Sequence, residues 1–372
     1  MKIKIVTIVG ARPQFIKAAA VSRALSRVEG VREILVHTGQ HYDDNMSDIF
    51  FRELDIPVPD YHLGVGSGAH GWQTGSMLAA IEPVLLAEKP DAVVVYGDTN
   101  STLAGALAAA KLNIMNAHVE AGLRSFNRRM PEETNRVVAD HVADLLFAPT
   151  VTARRNLLTE GIHEASIHLV GDVMYDAALY YGSKSERESD ILSSLRAEPK
   201  DYILTTVHRA ENTDDPNRLR RLFEGLMEVS REFPVILPLH PRTRQALERE
   251  GLLTRVANAL RLIEPVGYLD MVMLERNAKV VVTDSGGVQK EAFFYQVPCV
   301  TVREETEWVE LVELGWNRLA PPISANSLVD AVGEALNKAP SLWESPYGDG
   351  RSAEKIAEIL LQKTEVSSQN AE

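Results

Sequence analysis

The sequence predicts an α/β protein made of two doubly wound, Rossmann-like domains with a cleft between them. Three observations predict it. Short β-branched runs alternate with segments of helical period, several of those runs are apolar throughout, and the alternation occurs twice in 372 residues. Runs apolar on every position are what strands buried on both faces of a parallel sheet look like. A chain of this length is more than one hydrophobic core usually serves.

The first run, "KIKIVTIV" (2–9), leads into Gly10 at a tight turn and a helix opening at "ARPQFIK". "EILVH" (33–37) and "DAVVVY" (91–96) give the next strands, with a helical stretch over 73–88 before the second of them. A strand near 113–119 and "DLLFA" (144–148) complete a first domain over 1–170. The second domain, 171–350, takes its strands from "YILTTV" (202–207), "PVILPL" (234–239), "KVVVTD" (279–284) and "VPCVTV" (297–302). Its helix over 215–232 is amphipathic, with Leu219, Leu222, Phe223, Leu226 and Val229 on one face. The link between domains is expected near "VGDVMYDA" (170–177) or "GSKSERESD" (182–190), and a last helix near 351–363 is expected to return to the first domain.

Composition narrows the function classes. With 45% apolar and 24% charged residues the chain reads as soluble and globular. Its 52 acidic against 39 basic residues give a formal charge of -13, which argues against broad binding of nucleic acid or anionic membrane. An anionic small ligand would need a local basic pocket. The one cysteine, Cys299, excludes an intramolecular disulfide and reads as a core thiol. The opening "MKIKIVTIVG" has too short an apolar run for a signal peptide, and no stretch reaches the roughly 18 apolar residues that span a bilayer, so a cytoplasmic protein is expected.

Chemistry in such folds gathers at the carboxyl ends of the strands. After the first strand, Arg12 and Lys17 stand at or inside a helix start, an arrangement suited to phosphate. His37 and His41 have the i, i+4 spacing of a metal pair but straddle a glycine turn and lack the accompanying glutamate, so no metal is expected. "GVGSGA" (64–69) formally fits a dinucleotide fingerprint, yet it follows no strand that opens a βαβ unit and reads as a flexible glycine loop. "YGDTNSTLAG" places Asp98 directly after a strand and turn glycine, with Thr99, Asn100 and Ser101 available to cap the next helix. The following strand delivers His118 and Glu120 to the same edge, where neighbouring parallel strands would bring Asp98 and Glu120 close together. Arg124, Arg128, Arg129, Glu132, Glu133 and Arg136 follow, with Pro131 at a helix start. The second domain offers His208, Arg209 and Glu211 after one strand, and His240 and Arg242 after another. Ser285, Gly286 and Gly287 then enter a helix whose backbone N–H groups could approach a phosphate, Glu291 could accept from ribose hydroxyls, and Arg303 ends the last apolar run.

Eight segments in order carry a resemblance: "GARPQFIK", "TGQH", "GDTNSTLAG", "HVEAGLR", "MPEETNR", "HRAEN", "TDSGGVQKEA" and "REETE". Over roughly residues 3–362 the chain resembles the non-hydrolysing UDP-N-acetylglucosamine 2-epimerase family, which uses the GT-B-like arrangement of two domains. The resemblance implies inversion at carbon 2 of the sugar without a cofactor, through loss of UDP to 2-acetamidoglucal and its return. It places the family's acid/base groups on Asp98, Glu120 and Glu132 and its catalytic histidine on His208. It places substrate binding on Arg12, Lys17, Arg209, Ser285, Gly286, Gly287, Glu291 and Arg303, and it implies a homodimer. Members that epimerise UDP-2,3-diacetamido-2,3-dideoxy-glucuronate share "SFNRRMPEE" and "TEWVELVELGWNRL", so that sugar is the alternative substrate; a GT-B glycosyltransferase and a non-catalytic UDP-sugar sensor are the rival classes. Many bacterial members read "GTRPE" where this chain reads "GARPQ". Many also carry an arginine for a second, activating UDP-N-acetylglucosamine in a region where this chain has none between Arg52 and Arg124, so such activation is not expected.

Overall fold

A computed structural model describes residues 3–40, 55, 58–337, 340 and 345–369, leaving the side chains of Arg12 and of 366–369 outside the description. His41 lies outside the described residues. The chain divides into two units, the first formed by Met1–Ala177 with Ser345–Glu372 and the second by Ala178–Glu344. The division falls within the helix Val173–Glu188.

In the first unit seven parallel strands stand in the order β3-β2-β1-β4-β5-β6-β7. They are β1 (Ile3–Val9), β2 (Val31–His37), β3 (Tyr61–His62), β4 (Ala92–Tyr96), β5 (Met115–Val119), β6 (Leu145–Ala148) and β7 (Ile167–Leu169). The order reverses between β1 and β4, the kind of position beside which open α/β sheets receive ligands. The all-apolar runs are central strands: Ile5, Val6, Ile8 and Val93 to Val95 are fully buried, which only a sheet covered on both faces provides.

The six strands of the second unit are β8 (Ile203–Thr206), β9 (Val235–Pro238), β10 (Arg261–Ile263), β11 (Val280–Thr283), β12 (Cys299–Thr301) and β13 (Asn317–Leu319). Their order, β10-β9-β8-β11-β12-β13, is that of a Rossmann sheet. The amphipathic helix runs from Pro216 to Val229 and buries Leu219, Leu222, Phe223, Leu226 and Val229 against it. Each of these is worth about 1.5–3 kcal/mol on burial. Asp215 starts the helix by accepting from Asn217 N at 2.8 Å and Arg218 N at 3.2 Å, with Pro216 in the first helical position. Cys299 is buried, and burial pushes its thiol up to about 12, so it stays an uncharged core side chain.

The helix Ser352–Gln369 belongs to the first unit. It packs on Arg12–Leu25, buries Ala353, Ile356, Ala357 and Leu360, and has its start fixed by Asp176, whose carboxylate accepts from Ala353 N at 2.7 Å.

Gly10 differs from expectation. It is not among the glycines with positive φ. A Cβ there would collide with the hydroxyls of Ser101 and Thr38, which bond to each other at 2.8 Å, so the glycine serves close packing of two loops and not a turn.

Candidate active site

The polar residues form two constellations, one in each unit. In the first, β4 and β5 are in register with Tyr96 opposite Val119. The chain leaves β4 through Gly97, at φ 61°, and leaves β5 through Glu120, at φ 71°. The left-handed region costs a non-glycine residue of order 1–3 kcal/mol and is kept where the surroundings demand it. Here the demand is visible: Glu120 N donates to Phe147 O at 3.1 Å, and the carboxylate is held by Lys17 Nζ from the helix Arg12–Leu25. Asp98 is held in turn by Arg136 Nη2 from the helix Pro131–Val142, and Thr99 caps the helix Asn100–Lys111 by accepting from Thr102 N at 3.3 Å. Two carboxylates thus stand at adjacent strand ends, each on its own cation.

A buried layer holds both loops. Burial works against the charge of Arg136, but Asp98, Glu133 and Glu120 around it hold its proton more tightly than usual. Glu133 accepts from Ser125 N at 2.9 Å, Phe126 N at 3.0 Å and Arg136 Nη1 at 3.0 Å; burial pushes its carboxyl up, and these donors bring it below the usual range. Asn135 donates to Asp98 O at 2.9 Å. The ring of His118, fully buried, lies between Asp140 Oδ1 at 2.7 Å and Gly97 O at 2.6 Å, so it ties the turn that carries Asp98 to the sheet. Asp140 also accepts from Gly122 N at 3.1 Å and Arg124 Nη1 at 2.7 Å, and Arg124 reaches Glu160 with two more bonds of 2.7 Å. Burial pushes the Asp140 carboxyl up, yet His118 and Arg124 hold it below the usual carboxylate range.

In the second unit β8 and β11 end side by side, with Thr206 opposite Thr283. Asp284, fully buried, accepts from the backbone N–H of His208 and of Arg209, each at 3.0 Å, and from Asn212 Nδ2 at 3.1 Å. His208 stands half-buried above it. Ser285 precedes the helix Gly286–Phe294 without a side-chain cap, leaving the N–H groups of the first turn available to an anion. Glu291, on that helix, accepts from Tyr268 Oη at 3.1 Å. Arg303 is buried and occupied by Glu307 at 3.0 Å and 3.2 Å, with Glu211 at 3.6 Å.

The expected residues are distributed as follows. Asp98 and Glu120 share one sheet edge in the first unit; His208, Arg209, Ser285, Gly286, Gly287 and Glu291 share another in the second. Lys17 is engaged by Glu120, and Arg303 by acidic neighbours. The side chain of Arg12 lies outside the described residues. Glu132 is exposed in the first helical turn, with no hydrogen bond to Asp98 or Glu120, whereas its neighbour Glu133 is buried. His37 is stacked between Phe15 and His62 at ring distances of 5.0 Å and 4.5 Å, and burial lowers its pKa to about 4. Among the described residues no group of His, Cys, Asp and Glu side chains could hold a metal ion. "GVGSGA" is a loop, with Gly64 and Gly66 at positive φ. Asp284 and Asp140 are not among the expected site residues; the signal for Asp284 is its place directly after a buried strand, much as Asp98 follows β4.

Two carboxylates at adjacent strand ends of one Rossmann-like sheet, and a glycine-led helix start beside a histidine on the other, fit an enzyme that works on nucleotide-activated sugars. A family model described as UDP-N-acetylglucosamine 2-epimerase matches residues 23–361. The chain is 54% identical over 360 residues to the UDP-N-acetylglucosamine 2-epimerase homolog of Methanococcus maripaludis, covering 96% of this chain and 99% of that protein. It is 52% identical over 362 residues to the UDP-2,3-diacetamido-2,3-dideoxy-D-glucuronate 2-epimerase of Pseudomonas aeruginosa, with the same coverage of 96% and 99%. The crystal structure of the Methanocaldococcus jannaschii UDP-GlcNAc 2-epimerase in complex with UDP-GlcNAc and UDP matches with a TM-score of 0.86 at 47% identity, over 97% of this chain and 100% of that one. The chain belongs to the UDP-N-acetylglucosamine 2-epimerase family and is an isomerase of UDP-sugars with a GT-B-like fold of two Rossmann-like domains.

Proposed function

We propose that the protein interconverts UDP-N-acetylglucosamine and UDP-N-acetylmannosamine. The observation that carries this reading is the pair Asp98 and Glu120 at adjacent strand ends, each held by a cation. The proton on carbon 2 is removed, the bond from carbon 1 to the diphosphate oxygen breaks, and UDP leaves 2-acetamidoglucal. UDP then returns to carbon 1 while a proton is delivered to carbon 2 on the opposite face, so atoms and oxidation states balance. Asp98, Glu120 and Glu132 form the acid/base set. His208 and the N–H groups at Gly286 and Gly287 take up charge as the diphosphate departs, Arg209 and Arg303 frame it, and Glu291 holds the ribose. Arg12 and Lys17 complete the binding set; the pairing of Lys17 with Glu120 supports a second role in holding that carboxylate.

A second substrate is favoured by one observation, the 52% identity to a relative named for UDP-2,3-diacetamido-2,3-dideoxy-D-glucuronate. Proton NMR in deuterated water separates the two. Uptake of deuterium at carbon 2 of UDP-N-acetylglucosamine, with approach to a mixture of epimers and no added activator, is the expected result. Exchange in the uronate alone moves the substrate to the alternative, and exchange in neither removes the acid/base reading.

The protein is further proposed to act in the cytoplasm as a homodimer. The helix His70–Glu88 supports the dimer: Trp72, Gly75, Ala79, Pro83 and Leu86 are exposed along it, an apolar stripe that a second copy would cover. No helix among the described residues is long and apolar enough to cross a membrane.

A further inference from the structure

We propose that Asp284 is a positioning residue that aims the ring of His208 at the departing diphosphate and affects turnover through that ring alone. The inference rests on reading His208 as the group that stabilises the diphosphate.

The geometry begins with strand register. Thr283 and Thr206 are partners across β11 and β8, and their hydroxyls bond at 2.6 Å. Asp284 and His208 therefore leave the sheet from neighbouring strands at nearly the same height, and Asp284 N donates to Thr206 O at 3.3 Å. The Asp284 carboxylate is fully buried and gathers four groups. Three belong to the loop itself: His208 N, Arg209 N and Asn212 Nδ2. The fourth is the ring of His208, whose Nδ1 lies 3.2 Å from Asp284 Oδ1.

The loop is anchored by the first three contacts, so the fourth has a separate meaning. A carboxylate beside Nδ1 favours a proton on that atom and turns the other ring nitrogen away from the carboxylate. The His208 side chain is 41% exposed, and Nε2 has no hydrogen-bond partner among the described residues. With Nδ1 turned toward the buried carboxylate, Nε2 is the ring nitrogen left to face the leaving diphosphate, where a hydrogen on it would meet the negative charge that builds. Asn212 secures the arrangement from below, donating to Val302 O at 3.1 Å and accepting from Arg218 Nε at 3.2 Å.

The test is a double-mutant cycle of Asp284→Asn and His208→Ala, read by kcat, by KM for the sugar nucleotide and by calorimetric affinity for UDP. Asp284→Asn is expected to lower kcat about 100-fold with KM and UDP affinity within about threefold of the parent, and to lower it less than about threefold once His208 is alanine. Losses that multiply in the double variant would overturn the inference, as would a normal kcat in Asp284→Asn beside an impaired His208→Ala. A fully active His208→Ala would instead remove the reading of His208 on which the inference stands. Nitrogen-15 NMR of the ring in the unsubstituted protein with UDP bound supplies a readout that needs no variant. A hydrogen on Nδ1 is expected, and a bare Nδ1 overturns the inference.

Discussion

At Glu120 the backbone accepts a left-handed φ of 71° to put a carboxylate beside Lys17 and next to the strand that leads to Asp98. Exchanging that carboxylate for an amide keeps shape and removes its proton chemistry. Glu120→Gln is expected to lose on the order of 10²–10⁴-fold in turnover while circular dichroism keeps the signature of the parent fold, with a lower melting temperature because Lys17 loses its charged partner; near-normal turnover sinks the acid/base role. Asp140 shows the other use of a buried carboxylate. It bonds neither Asp98 nor Glu120, but it holds His118, Arg124 and Gly122 N. Asp140→Ala is expected to cost about 3–5 kcal/mol at neutral pH, measured by urea unfolding, because it leaves buried donors and charge uncompensated. Since the native pKa of Asp140 is depressed, its contribution is present above the ordinary carboxylate range and is lost as pH falls through the native value. The difference between parent and variant should therefore shrink in acid.

At the scale of elements, the loops after β1 and β4 are locked by contacts that leave no room. Gln14 bridges them: its Oε1 accepts from Gly10 N at 2.8 Å and Ala11 N at 3.1 Å, and its Nε2 donates to Tyr96 O at 2.8 Å and Thr102 Oγ1 at 3.0 Å. A glutamate could accept from the first pair but has no hydrogen for Tyr96 O, which gives the glutamine a physical reason. Gly10→Ala forces the hydroxyls of Ser101 and Thr38 apart and is expected to destabilise by about 1–3 kcal/mol in urea unfolding, the usual cost of overpacking. Elements like these also mark what the sequence could and could not disclose. Central strands such as Val93 to Val95 were legible because burial on both faces writes an uninterrupted apolar run. The edge strands Tyr61–His62, Ile167–Leu169, Arg261–Ile263 and Asn317–Leu319 were not, since two or three residues with one neighbour carry no periodicity. At the site, Asp98 and Glu120 stood out by following strands. The distinction between exposed Glu132 and buried Glu133 was hidden, because adjacent glutamates differ only in which way the helix turns them.

For the molecule as a whole, one buried acid works against stability at neutral pH. Both oxygens of Glu275 are buried without a hydrogen-bond partner among the described residues, and burial, reinforced by Glu291, raises its pKa well above the usual carboxylate range. The native state then keeps a proton that the unfolded chain has lost, so this residue favours folding most in acid and progressively less as pH rises from about 4. Glu275→Gln, which needs no proton, should melt higher than the parent at pH 7 to 8, with the gap closing near pH 4; a gap independent of pH contradicts the assignment. The return of Ser352–Gln369 to the helix Arg12–Leu25 has a consequence for synthesis. The first unit takes its sheet from before Ala178–Glu344 and one helix from after it, so on the ribosome that sheet must wait, with one helix face uncovered, while the whole of Ala178–Glu344 is translated and can fold. At about 5–20 residues per second that delay is on the order of ten seconds or more. The nascent first unit thus presents an uncovered helix face throughout that interval, and it is closed only after the second unit has been made.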